Sequence, residues 1–134
     1  MAIVHGGWRS LLQNVLLLTI QEIIHQHSIL ATDLDIWIGP GLRRDHNLMD
    51  HEPVQLQFPE WKQFVQKKGS EYSVDLIGFI KKQCYDVGIT DRQITDSDIC
   101  TYCETETFFS HRRSTNEHDT NGRFYVGVWQ TKKL

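Results

Sequence analysis

The sequence predicts an α+β domain, in which helices and strands of mixed order share one hydrophobic core. Helix-type and strand-type patterns alternate along the 134 residues, with no internal repeat and no low-complexity segment. Hydrophobic residues make up 40% of the chain, which is enough for one core in a chain of this length. Together, these observations favour a single domain spanning residues 1–134.

The first predicted elements are a strand, a long helix and a second strand. Ala2 to His5 has the character of the end of a buried strand. Arg9 to His27 is predicted to form one mostly buried helix, because apolar residues recur there at helical spacing over a wide stripe. Leu34 to Ile38 is predicted to form a strand that begins after the turn at Thr32-Asp33 and ends at Gly39-Pro40-Gly41.

Turn and cap signals define the central elements. The pattern of Leu48 to Leu56 fits no single element and leaves room for a short strand. Pro59 suits the first turn of a helix through Lys67 that Gly69 ends. Ser73 is the predicted N-cap of a helix from Val74 to Val87, and Gly88 takes the position just after its end.

Three further segments complete the prediction. Gln93 to Thr95 is expected to form a short strand. Ser114 to Gly122 is polar and is expected to form an exposed, mobile loop. Phe124 to Gln130 is rich in residues that favour strands and is predicted to be one.

Charge and cysteine content narrow the function classes. The formal net charge of −3 gives no reason to expect nucleic acid or an anionic membrane as a partner. The apolar run Val15 to Leu18 is too short to span a membrane, and no secretory signal is visible. Three cysteines, an odd number, argue against a disulfide framework and for a reducing compartment. We therefore expect a cytoplasmic protein.

A glycine-rich corner precedes the first helix. His5 is followed by Gly6 and Gly7, which permit a tight turn, and then by Trp8 and Arg9 at the start of the helix. Free N–H groups at a helix start attract anions, so an imidazole and a guanidinium here favour a corner that binds a metal and an anion. The alternative is a hydrogen-bonded structural histidine beside an ordinary turn.

A second group is the Cys100-x-x-Cys103 pair, which suits zinc or redox chemistry. With His111 and His118 it would supply four zinc ligands for a structural site. The spacing matches no common zinc module, and we favour the interpretation of two ordinary thiols near the end of a strand.

Arginines form the remaining candidates. Arg112 and Arg113 follow two phenylalanines, and paired arginines hold phosphate through bidentate hydrogen bonds. If this segment is a strand, its adjacent side chains face opposite sides, so one of the two arginines faces a pocket. A solvated basic turn is the alternative. The loop from Arg43 to His46 suits either a phosphate or sugar contact or a charged surface loop.

Residues 5–10, His-Gly-Gly-Trp-Arg-Ser, resemble the His-Ala-Gly-Trp-Arg-Gly signature of the laccase-domain family. These proteins are described as multicopper polyphenol oxidoreductases and as zinc-dependent purine nucleoside phosphorylases. Further blocks resemble the family in the same order, namely residues 37–42, 100–102, 108–113, 121–123 and 124–129.

The resemblance implies a mixed β-sheet covered by helices and phosphorolysis of purine nucleosides such as adenosine or inosine, together with adenosine deamination. It implies zinc, or alternatively copper, as the cofactor and purine nucleoside and phosphate as the ligands. The residues that it assigns are His5 for the metal, Arg9, Arg112 and Arg113 for substrate or phosphate, and Trp8 and Gly7 for the shape of the pocket.

The chain resembles only the C-terminal part of the family. Two further metal ligands and the catalytic cysteine of the family have no counterpart here, and Asp45 stands where many relatives carry a cysteine. We therefore expect an incomplete zinc site, completed by a separate N-terminal half or by self-association. The alternative function is a non-catalytic, truncated or degenerate domain that acts as a binding or interaction module.

Overall fold

The computed structural model describes residues 1–129 and confirms the α+β class. The α-helices are α1 (Trp8–Leu12), α2 (Val15–His27), α3 (Leu76–Asp86) and α4 (His111–Glu117). The strands are β1 (Ile36–Ile38), β2 (Leu48–Met49), β3 (Val65–Lys68), β4 (Glu71–Val74) and β5 (Ile94–Asp96). Short 3₁₀ segments cover Ala31–Asp33, Arg44–His46, Val54–Gln57, Pro59–Phe64 and Asp91–Gln93.

The strands form two small sheets. Strands β1 and β5 are parallel, with Ile36 opposite Ile94. Strands β2, β4 and β3 form an antiparallel sheet in that order, with Val74 of β4 opposite Val65 of β3. The family resemblance implies one mixed sheet. In the structure, the parallel pair and the antiparallel strands instead form two separate sheets.

Helix α3 lies at the centre of the core. Phe79 of α3 stacks on Trp61, with ring centroids 3.6 Å apart, and both side chains are buried. Leu11 of α1 and Val74 of β4 belong to the same cluster, so the core joins the first helix to the antiparallel sheet. A second cluster around Cys84 continues the core towards α2. Burying each of these large side chains contributes about 2 kcal/mol, which makes α3 the main support of the fold.

The single helix predicted for residues 9–27 is wrong, because the chain forms two helices. The break lies at Asn14, whose backbone is left-handed with φ 55°. The Gln83 side chain of α3 donates a hydrogen bond of 2.9 Å to the Asn14 side-chain oxygen. Asparagine tolerates this conformation better than most residues, and the contact with α3 holds it there.

The start predicted for α3 is also wrong. Ser73 and Val74 lie in β4, which pairs with strands on both of its sides, so the helix begins two residues later. Its N-cap is Asp75, whose carboxylate accepts a hydrogen bond of 2.8 Å from the Gly78 amide. The end of the helix agrees with the prediction, since Gly88 follows it with φ 89°.

The helix predicted from Pro59 to Lys67 is shorter than expected. Pro59 does begin a helical segment, but it is a 3₁₀ helix that ends at Phe64. Residues 65–68 form β3 because β4 offers them a hydrogen-bonding edge. The predicted strands near residues 34–38 and 93–95 are present as β1 and β5 with shifted ends.

The two ends of the chain also differ from the prediction. Residues 2–5 form no strand, because no described strand lies beside them, and Ile3 is 59% exposed. Residues 114–117 belong to α4 instead of a loop. Residues 124–129 are exposed and form no strand among the residues that the structure describes, and Gln130 lies outside them. Within residues 1–129, no helix combines the length and apolar character needed to cross a membrane.

Candidate functional site

A cavity of about 700 Å³ lies between the start of α1, β2, α4 and the loop after β2. Its volume falls in the range of about 300–1,000 Å³ that is typical of small-molecule sites. Its wall includes side chains that can stack, form hydrogen bonds or carry charge, namely Trp8, His46, Asp50, His51, Glu52, Gln55, Glu71, Tyr102 and Arg112. The cavity therefore combines aromatic, acidic and basic groups from separate parts of the chain.

The structure separates the two adjacent arginines. Arg112 lies at the cavity wall, where it donates a hydrogen bond of 2.6 Å to the Leu48 carbonyl oxygen. Arg113 is buried and forms a 2.5 Å ion pair with Asp119. The two are neighbours on helix α4, not on a strand as expected, and they point away from each other because successive helical residues are about 100° apart.

Arg113 acts as an internal tie for the segment that carries the two cysteines. Its guanidinium donates hydrogen bonds of 2.8 and 2.7 Å to the carbonyl oxygens of Thr101 and Tyr102. A third bond of 2.7 Å reaches the Phe108 carbonyl. The planar fork of arginine suits this task, since it presents several donors in fixed directions.

The N-terminal corner is open. His5 is exposed, and its ring folds over Gly7 so closely that a Cβ on Gly7 would lie 2.6 Å from the His5 Nε2 atom. Arg9 is exposed and its guanidinium carbon lies 4.8 Å from the centroid of the Trp8 ring. Trp8 also lies at the cavity wall, so the corner adjoins the cavity through this residue.

His5 alone does not make a zinc site. Catalytic zinc takes three protein ligands and keeps one open position. Among residues 1–129, the one group of three or more side chains able to share a metal is His46, Cys100 and Cys103, and it excludes His5. The residues around His5 therefore do not fit a complete metal site by themselves.

His46, Cys100 and Cys103 form a compact cluster beside the cavity. Their ligand atoms all lie within 4.8 Å of one another. The His46 Nδ1 atom is 3.6 Å from the Cys100 sulfur and 3.5 Å from the Cys103 sulfur. His46 stacks on Tyr102, with centroids 4.6 Å apart and planes inclined by 13°. Neither His111 nor His118 joins this group, so the four-ligand set proposed with them is not assembled.

The thiol pKa is shifted in opposite directions in Cys100 and Cys84. Burial would raise the pKa of the Cys100 thiol, but the backbone amides of Arg43, Cys103 and Tyr102 donate to its sulfur and hold the pKa below its ordinary value. For Cys84, burial raises the pKa of the thiol to about 11. Deprotonation is thus easier for Cys100 than for Cys84, which is a buried core residue.

Sequence reasoning missed several residues of the cavity. Gln55 is 1% exposed, and its side-chain nitrogen and oxygen have no hydrogen-bond partner among the described residues. His51 lies 2.8 Å from Asp50, and this hydrogen bond holds the pKa of the Asp50 carboxyl below its ordinary value. Sequence motifs give no signal for such residues, because they come from a loop and a short 3₁₀ segment and are brought together only by the fold around the cavity.

Comparison with known proteins adds the family relationship. Residues 1–131 match the family described as multi-copper polyphenol oxidoreductase laccase. The chain is similar to "Purine nucleoside phosphorylase YfiH" of Shigella flexneri, with 31% identity over 132 residues that cover 96% of this chain and 50% of the relative. The protein of the same name from Escherichia coli (strain K12) gives the same figures. The chain thus spans about half the length of the curated relatives it matches.

Proposed function

Because the chain belongs to the multi-copper polyphenol oxidoreductase laccase family, we propose that its cavity binds a purine nucleoside and phosphate for phosphorolysis. Two relatives are named purine nucleoside phosphorylases, which supplies the substrate class. The observation that carries the proposal is the cavity itself, which is lined by Trp8 and Arg112 from two blocks that resemble the family.

Arg112 is the phosphate-binding residue in this proposal. One of its nitrogens binds the Leu48 carbonyl, which fixes the guanidinium at the cavity wall and leaves its other donors for an anion. Arginine matches phosphate geometry through two parallel hydrogen bonds. Arg113 is excluded from this role because it is buried and holds three carbonyl oxygens. Arg9 contributes positive charge outside the cavity wall, beside Trp8.

Aromatic and amide groups provide the contacts for the purine. Trp8, together with the stacked pair His46 and Tyr102, offers flat surfaces on which a purine ring packs. The unpartnered carboxamide of Gln55 offers one donor and one acceptor for the edge of the base. Leaving such a buried amide unpaired costs about 1–3 kcal/mol, so a ligand that satisfies it gains affinity.

The reaction needs an attacking oxygen and a proton for the leaving base. A phosphate oxygen forms a bond to the ribose C1′ atom, the bond from C1′ to the purine nitrogen breaks, and its electron pair leaves with the base. His51 lies at the cavity wall with Asp50 beside it, and we assign it the role of protonating the departing purine. The products are ribose 1-phosphate and the free base.

Zinc, or alternatively copper, is the cofactor that the family resemblance implies, and His5 would supply one ligand. Among residues 1–129, no group of three potential ligands includes His5, so the proposal requires a separate N-terminal half or a second copy of this chain to complete the site. No step above is routed through that metal. Adenosine deamination is a second activity of the same proposal, and three free cysteines support a cytoplasmic location.

The test is inosine phosphorolysis by the purified chain, with hypoxanthine and ribose 1-phosphate measured together. We expect Arg112→Met to lower kcat/KM for phosphate by at least about tenfold, since a charge-assisted contact is lost. Arg123→Met is the matched control, because Arg123 is exposed and its hydrogen bonds within residues 1–129 are to its neighbours Asn121 and Gly122. Equal activity of the two variants would remove Arg112 from the site.

A non-catalytic interaction module is the second candidate function. It is favoured by exposed apolar side chains near the N-terminal corner and α2, where Ile3 is 59% and Leu18 58% exposed. The molar mass in solution, measured by light scattering, and the inosine assay together distinguish the phosphorylase from the interaction module. Self-association without turnover, with and without added zinc, would support the module and contradict a phosphorylase that a second copy of this chain completes.

A further inference from the structure

We propose that His46, Cys100 and Cys103 bind a zinc ion, at a site separate from the His5 corner. The three residues come from two segments 54 to 57 residues apart, and no contiguous motif contains them. Thiolate and imidazole are the ligands that zinc prefers in proteins.

The ligand atoms of the three side chains lie close enough together to share one metal ion. Zinc–sulfur and zinc–nitrogen bonds of about 2.3 and 2.05 Å at a tetrahedral angle place the two ligand atoms about 3.5 Å apart. The His46 Nδ1 atom is 3.6 and 3.5 Å from the sulfurs of Cys100 and Cys103. The Cys103 sulfur is also 3.8 Å from the His46 Nε2 atom, so it lies beside the ring, and the imidazole must rotate to direct a lone pair at a shared metal. A neutral imidazole nitrogen has one lone pair, which serves one partner, whereas a metal ion accepts all three ligands at once.

The site is held in place from both sides. Before Cys100, the Arg43 side chain donates to the Ile99 carbonyl at 3.1 Å and pairs with Asp96 at 2.8 Å. Gly41 and Cys100 form a parallel bridge, with the Thr101 amide 3.1 Å from the Gly41 carbonyl. A metal site needs ligands fixed by such surrounding contacts, because loose ligands lose affinity.

The segment between the two cysteines is tied as well. Arg113 binds the carbonyls of both intervening residues, and the Cys103 amide donates to the Cys100 carbonyl at 3.1 Å in a tight turn. His46 is oriented by its stacking on Tyr102. Backbone amides face the Cys100 sulfur, as they do for thiolates that carry negative charge onto a metal.

Three protein ligands leave one position for water. No fourth histidine, cysteine, aspartate or glutamate joins the cluster among residues 1–129. Zinc with three protein ligands and an open position is the arrangement of reactive sites, whereas structural sites are closed by four. Zinc binding here displaces two thiol protons to solvent and leaves the metal and its two thiolates neutral overall.

The experiment is a titration of the reduced, chelator-treated chain with Co²⁺, followed by displacement with Zn²⁺. We expect one Co²⁺ per chain with thiolate-to-cobalt absorption, and at least about tenfold weaker binding in His46→Gln, Cys100→Ala and Cys103→Ala. Cys84→Ala and His111→Gln are the matched controls and should bind as the unaltered chain does. Far-UV circular dichroism of each variant checks that it is folded.

A second measurement uses the unaltered chain alone. Cys103 is exposed and should react with iodoacetamide faster than the buried Cys84, although desolvation and the hydrogen bond with Cys100 raise the pKa of its thiol. Zinc should slow this reaction by at least about tenfold. Cys84 is buried and provides the internal control, unreactive with or without zinc.

Three results would overturn the proposal: equal cobalt binding after both cysteines are replaced, alkylation of Cys103 that zinc does not slow, or rapid formation of a Cys100–Cys103 disulfide with no metal uptake. If His111→Gln weakened cobalt binding as much as the cysteine variants do, His111 would be the ligand in place of His46, and the proposed set of three would be wrong. None of these readouts measures nucleoside turnover, so failure of the phosphorylase proposal leaves them unchanged.

Discussion

Two corners of the molecule border the same cavity and are built in opposite ways. The N-terminal corner, His5 to Arg9, is a contiguous motif whose histidine is exposed. The thiol corner, formed by His46, Cys100 and Cys103, brings together groups 54 to 57 residues apart in the chain. Each corner meets the cavity through a single aromatic or imidazole residue, Trp8 in the first and His46 in the second.

The difference lies in what fixes the side chains. Around the thiol corner, Arg43 and Arg113 supply charged donors to carbonyls and carboxylates on both sides of Cys100. Around His5, the close contact is with Gly7, two residues away. A local motif thus sets the path of the backbone, whereas a site with fixed geometry needs contacts between segments that are distant in the chain.

The largest effect should come from removing Arg113, the internal tie of the thiol corner. Arg113→Met keeps most of the side-chain volume but leaves three carbonyl oxygens without their donor, which should lower the free energy of unfolding by about 3–5 kcal/mol. Urea denaturation of the variant and of the unaltered chain measures this difference in the free energy of unfolding. Arg123→Met, an exposed control, should stay within about 0.5 kcal/mol.

Metal binding by Arg113→Met tests the comparison between the two corners further. Loss of the tie should weaken Co²⁺ binding, because Arg113 holds both residues between the cysteines. If Arg113→Met proves too unstable to titrate, Arg113→Lys keeps a charge and allows the measurement. A variant as stable as the unaltered chain would show that the thiol corner is no better held than the N-terminal one.

A smaller effect is expected from Asp96, which anchors Arg43 before Cys100. Burial would raise its pKa, but hydrogen bonds from Arg43 and the Asp98 amide, with Lys81 3.4 Å away, hold the pKa of the carboxyl below its ordinary 3.8. A carboxyl whose folded pKa is lowered stabilises the fold above the unfolded value, and this stabilisation is lost as the pH falls through the folded value.

Asp96→Asn should therefore lower the free energy of unfolding by about 2 kcal/mol at neutral pH. The difference from the unaltered chain should shrink as the pH falls below 3.8. Urea melts at several pH values measure this. Asp45→Asn is the control: Lys68 also lowers the pKa of the Asp45 carboxyl, but Asp45 is exposed, so solvent screens this pair and the difference should be much smaller. A difference that is constant with pH would mean that the Asp96 charge is not involved.

The sequence predicted those elements whose local signals agreed with their surroundings. Strands β1 and β5 and the end of α3 at Gly88 follow from residue type alone. The start of α3 does not follow from residue type, because Ser73 and Asp75 are both good N-caps. The pairing of β4 on both of its sides decides between them. The break at Asn14 depends on Gln83, 69 residues later in the chain.

The candidate site was predictable only in part for the same reason. Trp8 and Arg112 were named from local blocks, and the structure places both at the cavity wall. His46 and the two cysteines were noticed separately, but no spacing rule connects residues so distant in sequence. Gln55 gives no signal in the sequence, because its lack of a partner arises from the packing around it.

The smallest effect is expected at Gly7, and it tests how firmly the N-terminal corner is held. The backbone of Gly7 has φ −72° and ψ 154°, which alanine adopts without strain. A Cβ there would nevertheless lie 2.6 Å from the His5 Nε2 atom, so the His5 ring must rotate away. Because His5 is exposed, Gly7→Ala should change the free energy of unfolding by less than about 1 kcal/mol.

A double-mutant cycle with His5→Ala isolates the contact between the two residues. The coupling should be about 0.5 kcal/mol or less, since removing the ring removes the clash. A cost of about 1–3 kcal/mol for Gly7→Ala, abolished by His5→Ala, would mean that the ring is held rigidly. The corner would then be as well fixed as the thiol corner, and the contrast between them would fail. Zinc added to the same cycle should leave the coupling unchanged in the chain alone, because His5 makes no complete metal site by itself.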